Sequence, residues 1–201
     1  MNPIKSIMPK LMEDIDLTIV ESENVFNYLV SGKASEVEMA AFLATLSVKG
    51  SCSKELIGAV NALKPFVKNP LELDISTIDI VGTGGDGLKT YNISTAVAFI
   101  VASNGLYVAK HGNTAVSSKS GASDVLKELG INININKEII NKCLKETNMC
   151  FLFAPNYNNA FRYVAKVRKE LSFRTIFNLL GPLLNPVRAK RQLLGVFLIN
   201  I

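Results

Sequence analysis

A glycine-rich turn set between an apolar strand and an apolar helix constrains this chain more than any other feature. Residues 82 to 95 read Gly-Thr-Gly-Gly-Asp-Gly-Leu-Lys-Thr-Tyr-Asn-Ile-Ser-Thr. Before them, Thr77-Ile78-Asp79-Ile80-Val81 reads as a buried strand, and after them Ala96 to Ala102 reads as an apolar helix. A turn of this kind brings backbone N–H groups close to an anion, and the helix N-terminus adds partial positive charge. Thr90, Asn92, Ser94 and Thr95 supply side-chain donors, with Asn92 or Ser94 placed to cap the helix. A plain turn needs one or two glycines, so this pattern points to a phosphate site.

Gly82, Gly84 and Gly87 also satisfy G-x-G-x-x-G, but that fingerprint needs an acidic residue where the next strand ends. Here the next strand, Leu106-Tyr107-Val108-Ala109, ends in Lys110-His111-Gly112-Asn113. A lysine suits a phosphate or pyrophosphate, not a ribose diol. The missing G-K-[ST] ending excludes a P-loop.

A second cluster, Lys110 to Gly121, leaves the C-terminal end of that second strand. Ligands of open α/β sheets bind at this edge, so both loops are expected to open onto one crevice. A third cluster is Val167-Arg168-Lys169-Glu170-Leu171-Ser172-Phe173-Arg174-Thr175, running into Phe177-Asn178-Leu179-Leu180-Gly181-Pro182.

Residues 1 to about 70 read as helical. Thr18 with Glu21 forms a capping box whose helix Gly32 stops, and Ser35 with Glu38 forms another that ends at Gly50. Ser53 opens a further helix that fades at Pro65. In the Ser35 helix, Val37, Ala40, Ala41, Ala44 and Val48 share a face that suits either plain core or a contact between subunits. After a linker around Lys68-Asn69-Pro70, strands near 77–81, 106–109, 149–154 and 191–199 alternate with helices near 94–104, 121–129, 137–147 and 157–170. That alternation predicts a mainly parallel sheet buried on both faces.

A length of 201 residues suffices for one α/β domain plus a small helical one. No apolar run reaches the length of a membrane span, and the N-terminus lacks a signal-peptide core. Cys52, Cys143 and Cys150 read as reduced thiols, which places the expected compartment in the cytoplasm. The net charge of +5 admits an anionic substrate or a nucleic acid, but the lysines are scattered, which argues against a nucleic-acid tail.

In order and spacing, G-T-G-G-D-G…N-I-S-T, K-H-G-N…S-S-x-S-G and R-T-x-F-N-x-L-G-P-L-x-N-P resemble the anthranilate phosphoribosyltransferase family of the pyrimidine-phosphorylase-like superfamily. The resemblance extends from the helical beginning to Gln192-Leu193-Leu194-Gly195-Val196. It implies a helical domain over 1–70, with 171–186 returning to it, and a phosphoribosyltransferase α/β domain over 74–201, truncated at its C-terminus. It also implies transfer of a phosphoribosyl group from phosphoribosyl pyrophosphate to anthranilate in tryptophan biosynthesis, with Mg²⁺ as cofactor, in a cytoplasmic homodimer formed through the helical part.

Carried over residue by residue, Gly82, Gly85, Asp86, Thr90, Asn92, Ile93, Ser94 and Thr95 match the phosphoribosyl-pyrophosphate loop, Ser94 matching a Mg²⁺ ligand. Lys110, His111, Gly112, Asn113, Thr114, Ala115, Val116, Ser117 and Ser118 match the second binding loop. Gly82, Asn113 and Arg168 match anthranilate contacts, Arg168 through a guanidinium fork on the carboxylate. No residue is assigned as catalytic acid or base, because an aromatic amine is already neutral and nucleophilic. Open alternatives remain: His111 faces substrate or supports its loop, Asp86 is a ligand contact or an Asx turn, and Arg174 serves loop geometry or substrate.

Several positions depart from the family pattern: Thr114 for Arg, Ala122-Ser123 for Ser-Ala, Asn158-Asn159 for His-Pro, and Ser172 for Gly. Family members are longer, and their additional part holds an Asp-Glu pair on Mg²⁺. The expectation is therefore that these 201 residues alone turn over little. The rival readings are a nucleoside phosphorylase of the same superfamily, a non-enzymatic phosphate- or nucleic-acid-binding relative, and an inactive gene product.

Overall fold

The computed structural model describes residues 2–68, 75–84, 91–114 and 120–196. They form two compact units. One comprises Met1–Val67 and Asn158–Leu184, and the other Lys68–Tyr157 and Asn185–Phe197.

The helical unit opens with α1 (Pro3–Met12). Asn2 caps it by accepting from Ile4 N and Lys5 N at 3.0 and 3.3 Å, with Pro3 at the first helical position. Helices α2 (Ile19–Val30) and α3 (Glu36–Lys49) begin at the two expected capping boxes, Thr18/Glu21 and Ser35/Glu38. Helix α4 (Ser53–Leu63) starts at Ser53, but the capping position is Cys52. Its N–H donates to the Glu55 carboxylate at 2.9 Å, which does the work expected of Ser53.

The later segment of this unit takes in α9 (Arg162–Leu171) and α10 (Phe177–Leu183). It starts well before the expected return at 171–186, because Ala160, Val164 and Val167 already belong to the helical core. Phe177 links the two segments, with its ring 5.6 Å from Phe26 and 5.5 Å from Phe161. The expected helix over 157–170 is broken into α8 (Ala154–Tyr157), a 3₁₀ turn at Asn159–Phe161, and α9. Asn158 leaves helical geometry at φ −107°, ψ 62° and bridges Val67, so the break falls there.

The apolar face of α3 has a clear outcome. Val37 and Val48 are 79% and 90% exposed, whereas Met39, Phe42, Leu43 and Leu46 fill the core. Of the expected face, Val37, Ala41 and Val48 lie outside the core, whereas Ala40 packs against it and Ala44 is partly buried.

The second unit is a parallel sheet of β1 (Ile78–Gly82), β2 (Val108–Gly112), β3 (Met149–Phe153) and β4 (Arg191–Gly195), ordered β3-β2-β1-β4. Its helices are α5 (Ile93–Ser103), α6 (Ala122–Glu128), α7 (Lys137–Thr147) and α8. Ala98 and Ala102 of α5 pack on Ile80, Val108 and Met149. Strand β2 ends three residues later than expected, so Lys110, His111 and Gly112 lie in the strand and not in the loop. The expectation of burial on both faces fails for β4, whose five residues are all exposed along the sheet edge.

Helices α2 and α4 approach closely at Gly58, where a Cβ would fall 2.6 Å from Ser22 Cβ and 2.8 Å from Glu23 N. Backbone cannot yield to that extent without repacking. We expect Gly58→Ala to destabilise the helical unit by about 1–3 kcal/mol, despite alanine's better helix propensity. Urea denaturation followed by circular dichroism measures it, and an unchanged or raised midpoint would contradict the close approach.

Candidate functional site at the sheet edge

Successive strands β1, β2 and β3 step outward in one direction, and the chain then returns to place β4 on the other side of β1. The order therefore reverses between β1 and β4, and ligands of open α/β sheets bind beyond the strand C-termini at such a reversal. Both strands end there in glycine. Gly82 pairs with Gly195, and Thr83 N donates to Gly195 O at 3.0 Å. Gly84 follows with φ +64°, a backbone shape that side-chain-bearing residues rarely adopt.

Helix α5 starts beside this edge, with Ser94 Oγ 3.7 Å from the Cβ position of Gly82. Asn92 sits at its capping position, as one of the two expected candidates. Its Oδ1, however, accepts from the Thr95 hydroxyl at 2.7 Å and makes no cap bond to the helix N–H groups. Ile93, Ser94 and Thr95 thus form the first turn of a helix whose positive end faces the loop side of the sheet.

The second loop leaves from the neighbouring strand. Gly112 ends β2, and a Cβ there would fall 2.8 Å from the Phe151 ring, so this glycine answers a packing need. Asn113 turns its carboxamide onto its own loop, accepting from Thr114 N at 2.8 Å, and its carbonyl accepts from Ser123 N at 3.3 Å. The Ser123 hydroxyl is buried and has no hydrogen-bond partner among the described residues. Gly85, Asp86, Thr90, Ala115, Val116, Ser117 and Ser118, also expected in the two loops, lie outside the described residues.

Beneath the loops lies a polar network that the sequence reading passed over. Asp79 is fully buried; it accepts from His111 N at 3.1 Å and from Gln192 Nε2 at 3.3 Å. Asn185 also bonds it and donates to Ala109 O at 3.0 Å. Burial pushes the Asp79 carboxyl above its usual range, against the hydrogen bonds from Asn185 and His111. Lys110 is 2% exposed, and its ammonium donates to Ile80 O at 2.6 Å. Burial lowers its pKa to about 8, partly offset by the Asp79 charge. The lysine expected to face a ligand from a loop is thus a sheet residue, kept in the strand by Ile80 O and Asp79. An alternating apolar run with one aspartate was the available signal for this network.

Arg168 belongs to α9 of the helical unit. It is half-buried, its guanidinium stands 5.3 Å over the Phe177 ring, and among the described residues it has no ion pair. Burial alone lowers its pKa. A stacked guanidinium without a carboxylate partner is a receptor for a planar anion.

Among the described residues, the one cluster of three metal-capable side chains is Asp16, Cys52 and Glu55 in the helical unit. The Lys49 ammonium already sits there, 2.5 Å from Asp16 and 3.2 Å from Glu55. Ser94 offers a single neutral hydroxyl, which by itself does not make a Mg²⁺ site. The described residues therefore do not assemble one.

Family models agree with this architecture. Residues 74–201 match the glycosyl transferase family a/b domain, and residues 5–65 match the helical bundle domain of the same family. The chain belongs to this glycosyl transferase family. Within it, similar proteins include the anthranilate phosphoribosyltransferases of Shouchella clausii, 47% identical over 96% of this chain, and of Methanobrevibacter smithii, 48% identical over 96%. The chain spans 57% and 58% of the length of those relatives. Among solved structures, the anthranilate phosphoribosyltransferase of Thermus thermophilus superposes with a TM-score of 0.86 at 39% identity, covering 99% of this chain and 59% of that one. The Saccharomyces cerevisiae enzyme in complex with PRPP and Mg also gives 0.86, at 30% identity, covering 98% and 59%.

The depressed Lys110 gives this glycosyl transferase family member a pH signature. Between pH 8 and 10.5 the unfolded chain holds a proton on Lys110 that the folded chain has lost, so folding stability rises with pH across that window. The gain is on the order of 3 kcal/mol. Asp79 acts in the acid range with its own sign, since its raised pKa adds stability as pH falls. We expect Lys110→Met to remove the alkaline rise in denaturant-derived stability relative to wild type, and parallel profiles would refute the assignment.

Proposed function

We propose that the protein carrying this chain transfers a phosphoribosyl group from phosphoribosyl pyrophosphate to the amine of anthranilate, releasing pyrophosphate. The observation that carries the reading is the side-chain-free edge at Gly82, Gly84 and Gly195 beside the start of α5. Such an edge suits an oxygen-rich anion, and the identity of 47–48% to anthranilate phosphoribosyltransferases supplies the substrate class.

The C1–O bond to pyrophosphate breaks as the amine nitrogen forms its bond to C1, through an oxocarbenium-like state with charge growing on the leaving group. Fixed donors that stabilise this charge are the main requirement. In our reading the backbone N–H groups of Gly82–Gly84 and of Ile93 to Thr95 donate to the pyrophosphate, and Gly85, Asp86, Thr90 and Asn92 complete the phosphoribosyl-pyrophosphate loop. Asn113 to Ser118, beyond the end of β2, form the second phosphate loop, and Gly82, Asn113 and Arg168 hold anthranilate. Mg²⁺ would neutralise pyrophosphate charge when bound, with Ser94 as one ligand. The amine proton needs no strong base, which matches a site without an assigned acid or base.

Two further elements belong to the same reading. The outward face of α3 with Val37, Ala41 and Val48 suits a homodimer contact. Three free thiols, Cys52, Cys143 and Cys150, suit a reducing cytoplasm.

In the whole protein that carries this chain, loss of anthranilate fluorescence with phosphoribosyl pyrophosphate and Mg²⁺ present tests the activity directly, and absence of phosphoribosyl-pyrophosphate-dependent loss counts against it. Arg168→Ala is expected to raise the KM for anthranilate about tenfold or more and to leave that for phosphoribosyl pyrophosphate nearly unchanged. This follows because a charge-assisted pair contributes about 1.5–3 kcal/mol. Equal effects on both substrates would contradict the role given to Arg168. For the dimer, Val48→Glu is expected to shift sedimentation to the monomer, and an unchanged dimer would exclude that face.

A further inference from the structure

We propose that Asp79 is a positioning residue for the phosphate edge: its carboxylate, with the Lys110 ammonium, holds together the C-terminal halves of β1 and β2, from which both ligand loops depart. The proposal rests on the reading of that edge as the phosphoribosyl-pyrophosphate site.

Strand pairing is the first observation. β1 and β4 pair along all five residues of each strand, and so do β2 and β3. β1 and β2 pair at one position only, Ile78 with Val108. Above that position side chains replace the ladder. His111 N donates to Asp79 Oδ1 at 3.1 Å, and Lys110 Nζ donates to Ile80 O at 2.6 Å. Backbone polar groups buried in a sheet must find partners, and these two bonds supply them between the strands that lead to Gly82 and Gly112. The strand that carries Gly82 and the strand that carries Gly112 to Thr114 are held in relation through them.

Charge is the second observation. Asp79 is fully buried, so its charged form persists only with nearby donors and positive charge. Those groups come from every neighbouring strand and from the turn before β4: His111 and Lys110 of β2, Gln192 of β4, and Asn185. On β3 the Cys150 thiol feels the same charge, which helps burial push it upward and keeps it neutral. Lys110 in turn keeps its proton near neutral pH with help from Asp79. An asparagine at 79 preserves shape and an acceptor for His111 N, but it withdraws the charge that Lys110 depends on.

The test uses Asp79→Asn, with Gln192→Leu on the exposed edge strand as a variant that does not disturb the core. The first readout is independent of activity: ¹³Cε NMR of Lys110 through a pH titration. A midpoint near 8 is expected in wild type. In Asp79→Asn it is expected to fall by about one unit or more, corresponding to a tenfold change in proton affinity. The second readout is steady-state kinetics with each substrate varied separately. The KM for phosphoribosyl pyrophosphate is expected to rise about tenfold, with the alkaline limb of its kcat/KM profile shifted down by the same unit. Gln192→Leu removes one donor to the carboxylate, so the acid limb of that profile is expected to move up.

A folded Asp79→Asn protein with an unmoved Lys110 midpoint overturns the proposal. So does a moved midpoint with both KM values and both limbs unchanged, or a lowered melting temperature alone. If Asp79→Asn does not fold, an unmoved acid limb in Gln192→Leu overturns it. A wild-type protein without phosphoribosyl-pyrophosphate-dependent turnover refutes the proposed function instead, and the NMR titration still tests the coupling of Asp79 to Lys110.

Discussion

The edge of the α/β unit depends on how a parallel sheet satisfies its backbone where two strands part. Strands that separate leave N–H and C=O groups without ladder partners, and a buried orphan of this kind costs about 1–3 kcal/mol. Here a carboxylate and an ammonium take those places, so the opening between β1 and β2 is chemically closed at Asp79 and Lys110. Gly82, Gly195 and the first turn of α5 can then face outward without the sheet unravelling beneath them.

The sequence was most legible where a local rule has one solution. The capping boxes at Thr18 and Ser35 predicted two helix starts to the residue, because a hydroxyl and a carboxylate at that spacing answer the same four free N–H groups. The glycine-rich turn predicted its strand and helix within a residue or two. Legibility failed where a distant partner decides. Lys110 looks like a loop residue until Ile80 O and Asp79 are known to lie beside it. The break at Asn158 follows from its bridge to Val67, which no window around residue 158 contains. Asp79 was invisible for the opposite reason: its apolar neighbours read as plain strand, and its four polar contacts arise from other elements.

Within the candidate site, Gly112 illustrates how function and packing share a residue. Its motif suggests a ligand loop, yet the Phe151 ring already forbids a side chain there. Ser123 shows the reverse, a buried hydroxyl with no partner among the described residues at the base of the second loop, where the family pattern places its serine one residue earlier.

The aromatic chain in the helical unit bears on how the protein folds. Phe26 and Phe42 are local partners, but Phe177, which completes the cluster, enters the chain some hundred and thirty residues later. During synthesis the first four helices therefore lack part of their core until the segment ending at Leu184 has emerged, by which time β1, β2 and β3 are already made. Closing so long a loop is entropically slow, and non-local cores fold later than local ones. Each unit therefore waits on a late segment, the helices on the one ending at Leu184 and the sheet on β4 after it.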